Sequence, residues 1–305
     1  MANSKQNVNK IRKKKNLKEL LWVLLFIGPT VLGIYLFYIY PIFGSVYISF
    51  TKWNHLTKPE FIGLTNYINL FQDPRIGREF FNTIFFVITL VPLVLASSLL
   101  FANFLNKKTS LTGVFRTIFF IPYVMLPVII AIVWMIMFNS RYGFINLILG
   151  NMGLPQPVWL GNEWLVRIVI IIVSIWGSVG YYGVIILAGL QNIPDQYYEA
   201  CELDGGGEIW KFFHVTIPLV TPQLFYVAVI SAIGLFQMFD YVFVFGKSNV
   251  SVRENIRTMA YGIYERGFTY LDMGYASAEA IVFCVLVLLV TVIQNVGQKK
   301  WVHYA

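Results

Sequence analysis

Residues 199–222 read EACELDGGGEIWKFFHVTIPLVTP and interrupt two long apolar runs in the C-terminal half of the chain. With Asp195 just before it, this stretch carries five acidic residues against one lysine, and it contains three consecutive glycines, Gly205–Gly207. The runs on either side are long and apolar enough to be membrane-spanning helices. The stretch is therefore predicted to be the place where a membrane-embedded bundle meets something outside itself.

The composition of the whole chain supports a membrane environment. The 305 residues are 57% hydrophobic and 12% charged, whereas a soluble domain carries about 25% charged residues. The net charge of +8 does not indicate nucleic-acid binding, because the basic residues flank apolar runs as topology signals do and no binding motif is present. The two cysteines, Cys201 and Cys284, lie in different segments without metal-ligand spacing, which argues against a disulfide framework or a metal site.

The apolar runs predict an all-α polytopic membrane protein with six transmembrane helices. They form one domain, residues 20–297, between a basic N-terminal tail (1–19) and a short C-terminal tail (298–305). The first run is retained rather than cleaved, since it is far longer than the apolar core of a signal peptide. The predicted spans cover about residues 20–41, 80–106, 114–138, 165–190, 223–245 and 275–296.

Three prolines predict where the spans end or bend. Pro41 is expected to mark the outer end of the first span, because proline disrupts helix interiors. Pro122 and Pro127 fall inside the third span and predict kinks rather than a straight rod.

The lysines and arginines predict the orientation. The two tails and the two loops on their side hold 13 of these residues in short flanks, and the opposite loops hold 9 in longer segments. Because basic residues are concentrated in cytoplasmic flanks, both termini and the acidic loop at residues 191–222 are expected in the cytoplasm.

The local chemistry of the acidic loop predicts two short helices. Pro194 suits a helix start, residues 195–203 can form about two and a half turns, and the glycines end that helix. A second helix is expected at about 208–214, followed by a turn at Ile217-Pro218, with Pro222 opening the fifth span. Composition alone leaves two interpretations open: a solvated connector, and an element that docks into a groove on a partner.

The spacing within the loop resembles the EAA loop of ABC-importer permeases. That pattern is E-A-A, three residues, G, nine residues and I-x-L-P; here Glu199, Ala200, Gly205 and Pro218 match, while Cys201, Val215 and Ile217 are conservative replacements. Other segments resemble the maltose-type carbohydrate subgroup, so the resemblance covers about residues 20–297. The segments are Gly63–Tyr67, Asn82-Thr83, Trp159-Leu160, Asp204-Gly205, Trp210, Phe212-Phe213, Ile217-Pro218 and Gly274–Ala278. One departure is Phe245–Ser248, where the subgroup usually has a Gly-Gly-Pro turn.

The resemblance implies a specific function and set of partners. The chain would be the permease subunit of an ATP-binding cassette importer in a bacterial or archaeal plasma membrane, taking up a carbohydrate. A second, homologous permease, two cytoplasmic ATPase subunits and an extracytoplasmic solute-binding protein would complete the system. By the same resemblance, the residues that couple to the ATPase would be Glu199, Ala200, Asp204 and Gly205.

The chain itself shows no catalytic or cofactor motif. It lacks a phosphate-binding G-x-x-x-x-G-K-[ST] sequence, and His55, His214 and His303 are scattered without a triad-like pattern. ATP hydrolysis is therefore expected in separate subunits, with no cofactor in this one. An ion-coupled secondary transporter is the alternative from another class, and a membrane-embedded enzyme is a third.

Polar and aromatic residues inside the fourth and fifth spans are candidates for the substrate path, because lipid cannot satisfy polar groups. Aromatic rings beside hydroxyl and amide groups suit a sugar, although such residues can also be helix-packing contacts or interfacial tyrosines. The candidates are Ser174, Trp176, Ser178, Tyr181, Tyr182, Ser231, Phe236 and Gln237.

Four charged residues complete the predictions. Asp240 and Glu279 are expected to be exposed at the outer ends of their spans, rather than to serve ion coupling. Arg116 sits at the inner end of the third span, and Arg167 is the one basic residue deeper within a predicted span, which favours a neutral sugar over an anionic one.

Overall fold

The computed structural model describes residues 2–107, 111–247, 250–300 and 302, without the side chains of residues 2–17 and 300. Some predictions fall beyond this part of the chain. Three such residues are Ser248, in the loop that departs from the subgroup pattern, His303, and Lys108, one of the basic residues counted on the side of the termini. The basic side chains of the tail up to Lys15 also lie outside the described part.

The described residues are almost entirely helical. One two-stranded antiparallel sheet pairs β1 (Thr51–Lys52) with β2 (Glu60–Phe61). The α-helices, in chain order, are α1 (Ala2–Ile34), α2 (Tyr40–Ser49), α3 (Thr65–Gln72), α4 (Pro74–Asn106), α5 (Thr112–Val124), α6 (Pro127–Met137), α7 (Phe144–Asn151), α8 (Glu163–Leu190), α9 (Asp195–Leu203), α10 (Glu208–Lys211), α11 (Ile217–Phe236), α12 (Asp240–Phe245), α13 (Val250–Ile256), α14 (Met259–Tyr264) and α15 (Met273–Gly297).

Several of these helices have the length and hydropathy of membrane spans. Five helical stretches qualify among the described residues, and α5 with α6 qualifies as a bent pair. The chain is therefore a helical protein with five or six apolar helices that can cross a membrane. The five stretches are Lys18–Ser49, Pro74–Asn106, Glu163–Leu190, Glu208–Phe245 and Met273–Gly297.

The expected end of the first span at Pro41 is wrong. The helix continues through Pro41 to Ser49, with a π-helical turn at Tyr35–Ile39 directly before it. In that turn the Tyr40 N–H bonds the carbonyl of Tyr35, five residues back. The wider turn accommodates the missing N–H of proline without ending the helix.

A π-helical turn also precedes a proline in the fifth span, where the predicted helix start is wrong. The structure has no turn at Ile217-Pro218, and Pro222 does not open the helix. Instead, α10 continues through a π-helical turn, Phe212–Thr216, into α11. The second predicted short helix is thus the first part of the fifth long helix.

The third span departs further from a straight rod than the predicted kinks. The axes of α5 and α6 differ by 102°, and Met125 and Leu126 between them are extended. Leu126 precedes Pro127, and the residue before a proline is pushed away from the helical region. Pro122, Met125 and Pro127, at this break, line the cavity described below.

Helix α8 lies at the centre of the bundle. It packs along α4 and α5, and α11 packs against both α4 and α8, while α15 contacts α2. Gly180 of α8 permits the close approach of α5, because a Cβ at this position would lie 1.9 Å from the Phe119 carbonyl oxygen. Small residues commonly allow membrane helices to approach closely in this way.

Candidate functional site

A cavity of about 220 Å³ lies beside the break between α5 and α6. Helix α8 and the junction of α11 with α12 complete its wall, so the broken helices of the bundle meet there. Its lining consists of Val94, Pro122, Tyr123, Met125, Pro127, Ile130, Ser174, Gly177, Ser178, Tyr182, Ser231, Gly234, Leu235, Gln237, Met238, Phe239, Asp240 and Tyr241.

Five of the eight predicted path residues line this cavity: Ser174, Ser178, Tyr182, Ser231 and Gln237. The Ser178 hydroxyl donates to the Ser174 carbonyl at 2.7 Å, and the Ser231 hydroxyl donates to a carbonyl of its own helix. The buried Ser174 Oγ has no hydrogen-bond partner among the described residues. A ligand hydroxyl in the cavity can supply that partner.

The other three predicted path residues lie outside the lining. Tyr181 supports the wall from behind, since its ring stacks on Tyr123 with centroids 3.9 Å apart. Trp176 packs edge to face against Trp134. Phe236 is buried and its ring contacts Phe283 of helix α15.

The two acidic residues expected to be exposed behave differently from each other. Asp240 is partly buried in the cavity wall, and its carboxylate makes no hydrogen bond or ion pair with any described residue. Glu279 is fully buried and bonds Arg266 at 2.7 Å. The prediction that Glu279 is exposed is therefore wrong, because a buried arginine from the preceding loop neutralises it.

Glu279 belongs to a buried ionic cluster formed by Glu79, Arg257, Glu265, Arg266 and Glu279. Arg266 Nη1 lies 2.9 Å from Glu79 Oε2, and Arg257 contacts both Glu79 and Glu265, at 2.5 Å and 2.6 Å. Each of the five residues is less than 9% exposed. The cluster ties the segment between α12 and α15 to α4 and α15, at the end of the bundle opposite the acidic loop.

The cluster keeps its arginines charged. Burial alone would lower the pKa of Arg266, but hydrogen bonds and charge from Glu79, together with the charge of Glu279, raise the pKa above its ordinary value. Gly262 provides the necessary space, since a Cβ there would lie 2.4 Å from Glu79 Oε2. The cluster was not predicted from the sequence. The available signal was Glu279, which stands beside a long apolar run with no lysine or arginine within one helical turn on either side.

At the opposite end of the bundle, α9 and α10 form a helical hairpin, residues Asp195–Lys211, that projects from the long helices. Helix α9 has the predicted bounds of residues 195–203. Gly205, with φ of +82°, ends it: its N–H bonds the Glu202 carbonyl and the Gly206 N–H bonds the Cys201 carbonyl. This is the Schellman arrangement, and its left-handed position favours glycine.

One side of the hairpin packs against the fifth long helix, and the other side is exposed. Cys201 is buried, and the Tyr198 hydroxyl lies 3.2 Å from Thr216 Oγ1. Lys211 bridges Glu202 and Glu208 across the turn. Leu203 is 90% exposed and Ile209 78% exposed, and the predicted coupling residues Glu199, Ala200, Asp204 and Gly205 share this exposed surface.

Comparison with known proteins gives a family match and relatives of similar length. Residues 98–302 match the model of the binding-protein-dependent transport system inner membrane component. The probable ABC transporter permease protein YesP of Bacillus subtilis is 34% identical over 92% of this chain and 91% of its own. The arabinooligosaccharides transport system permease protein AraP of the same species is 31% identical, over 88% and 86%.

A solved structure has the same fold. A chain of a bacterial ABC transporter involved in the import of the acidic polysaccharide alginate superposes with a TM-score of 0.84 at 22% identity, over 95% of this chain and 99% of that one. At this identity the likeness concerns the fold alone.

Proposed function

The chain belongs to the family of binding-protein-dependent transport system inner membrane components, and from this premise we propose that it is the permease subunit of an ATP-binding cassette importer for a carbohydrate. The family match over residues 98–302, with relatives covering about nine-tenths of the chain, carries the proposal. The subunit is non-catalytic, and separate subunits hydrolyse ATP. AraP, named for arabinooligosaccharide transport, supports a sugar as the substrate class.

The helical hairpin is the proposed coupling element. Its inner side is fixed to the fifth long helix, and its outer side presents apolar Leu203 and Ile209 beside the carboxylates of Glu199 and Asp204. Exposed apolar side chains within a polar surface favour protein contact. Docked in a groove of an ATPase subunit, the hairpin can convert closure of the ATPases into rigid-body movement of the bundle.

The cavity beside the α5–α6 break is the proposed substrate path. Its tyrosines, serines and Gln237 offer ring faces and hydroxyl or amide groups, as a sugar requires. A second permease would close its open side. We further propose six spans with both termini in the cytoplasm, and an extracytoplasmic binding protein that delivers the substrate to the opposite face.

Uptake by cells distinguishes this function from an ion-coupled carrier. Deletion of the cognate ATPase subunits is expected to abolish sugar uptake, and an uncoupler that collapses the ion gradient while ATP is maintained is expected to leave it intact. Uptake that survives the deletion but stops with the uncoupler would overturn the proposal.

A further inference from the structure

The proposed substrate cavity has an uneven charge. Asp240 is the one acidic residue in its lining, and no lysine, arginine or histidine is among the described residues that form the wall. The remaining polar groups are neutral: hydroxyls of serines and tyrosines, and the Gln237 amide. This chain therefore presents a negative charge and neutral donors to whatever enters.

The carboxylate of Asp240 has no structural partner that would explain it. It stands at the first residue of α12, yet no backbone N–H of that helix and no cation among the described residues is bonded to it. The arginines of the buried ionic cluster do not explain it either, because their ion pairs among the described residues are with Asp73, Glu79, Glu254, Glu265 and Glu279 and not with Asp240. The carboxylate belongs to the same cavity lining as Tyr241 and Ser174, and the Ser174 hydroxyl also has no hydrogen-bond partner among the described residues.

We propose that Asp240 is a specificity-determining residue that selects neutral sugars, an inference that rests on the proposed function. A carboxylate accepts hydrogen bonds from two neighbouring hydroxyls of a neutral sugar, and these charge-assisted bonds are strong. A carboxylate, phosphate or sulfonate on the sugar would instead meet a like charge in a partly desolvated site. The fold does not determine whether neutral or acidic sugars are carried, since a chain of a transporter of the acidic polysaccharide alginate has the same fold.

The first test uses the complete system in proteoliposomes: this chain, its partner permease, the ATPase subunits and the binding protein. ATP-driven uptake is measured for arabinotriose, maltose and galactobiose, and for the anionic probes digalacturonate and sn-glycerol 3-phosphate. We expect uptake of a neutral probe and none of the anionic ones. Preferred uptake of an anionic sugar overturns the inference and leaves the proposed function standing, whereas no uptake of any sugar overturns both.

The second test changes the charge alone. In Asp240→Asn we expect the KM for the neutral probe to rise about tenfold, because hydrogen bonds to charged groups change affinity by roughly tenfold to a hundredfold. The uptake ratio of digalacturonate to galactobiose should rise as well, a change that a merely structural role would not produce. Glu60→Gln, on the exposed strand β2, should change neither value.

Asp240→Glu provides a variant that keeps the charge. It should retain discrimination against anionic probes even if its KM changes, and it serves in place of Asp240→Asn should that protein fail to assemble. The binding protein's own affinities are measured separately and are the same in every assay, because only this chain is altered. An unchanged KM in Asp240→Asn, or lost discrimination in Asp240→Glu, overturns the proposal.

Discussion

Gly205 and Gly206 show how single residues shape the proposed coupling element. Gly205 holds a left-handed conformation, and Gly206 lies so close to Cys201 that a Cβ would approach its Sγ to 2.4 Å. Gly207, in contrast, has φ of −75° and open space around its Cα. Three glycines that look equivalent in the sequence therefore differ in what the backbone demands of them.

Gly205→Ala is expected to impair coupling more than Gly207→Ala does. A left-handed alanine costs roughly 1–2 kcal/mol, so the turn will shift and displace Leu203 at the tip. We expect binding-protein-stimulated ATPase activity of the reconstituted complex to fall severalfold in Gly205→Ala and to stay near normal in Gly207→Ala. Equal activities would contradict a role for the turn geometry.

A charge reversal at Glu199 tests the same exposed surface of the hairpin. Its carboxylate is exposed and makes no ion pair within the described chain, so Glu199→Lys should insert and fold normally. We expect the ATPase subunits to dissociate from this variant or to lose stimulation, measured by co-purification and ATPase assays. Glu60→Lys on strand β2 is the matched control, and equal behaviour of the two variants would count against the coupling role.

Arg266 tests the buried ionic cluster. In Arg266→Met, Glu79 and Glu279 lose a shared cation, and breaking a buried pair costs about 3–5 kcal/mol. Thermal unfolding of the detergent-solubilised protein should show a clear loss of stability, with partial recovery in Arg266→Met combined with Glu279→Gln. The exposed Arg75→Met should be close to neutral; similar losses in Arg75→Met and Arg266→Met would contradict the importance of burial.

At the scale of elements, the sequence predicts the long helices well and their prolines poorly. Apolar runs locate the spans because every backbone group in lipid must be bonded internally. The consequence of a proline depends on the turn before it, which composition does not reveal. Pro41 and Pro218 each follow a π-helical turn and leave the helix continuous, whereas Pro127 follows extended residues and the helix breaks.

The candidate sites also differ in how far the sequence predicts them. Helix α9 and its glycine turn are local features, so propensity and spacing predict them. The buried ionic cluster joins Glu79 to Arg257 and Arg266, nearly two hundred positions away along the chain, and no local pattern identifies such partners. Five path residues line the cavity, but Phe236 does not, because span membership does not determine which face of a helix packs inward.

Helix packing gives a prediction at this scale. A Cβ at Gly180 would collide with the Phe119 backbone, so Gly180→Ala must push α5 away from α8. We expect a lower unfolding temperature and reduced yield of monodisperse protein for Gly180→Ala. Gly28→Ala, where the first helix has open space, should behave like the unaltered chain, and a stable Gly180→Ala would show that the two helices are not closely held.

At the scale of the whole molecule, the bent pair α5–α6 decides on which side each end of the chain lies. If the pair crosses the membrane, the described helices make six spans, and the termini and helical hairpin share one side. If it enters and returns on the same side, five spans remain, and the hairpin and the C-terminus face away from the N-terminus. The proposed coupling requires the first arrangement, since ATPase subunits are cytoplasmic.

Reporter fusions distinguish the two arrangements. Alkaline phosphatase, which is active only outside the cytoplasm, and a fluorescent protein, which fluoresces inside, are fused after Gly161, after Gly207 and at the C-terminus. Six spans predict phosphatase activity after Gly161 and fluorescence at the other two sites. A returning pair predicts the reverse at all three sites, because the lost crossing inverts everything that follows it. We expect the six-span pattern, since basic residues flank the short loops on the N-terminal side; the reverse pattern would place the hairpin outside the cell and exclude its contact with the ATPases.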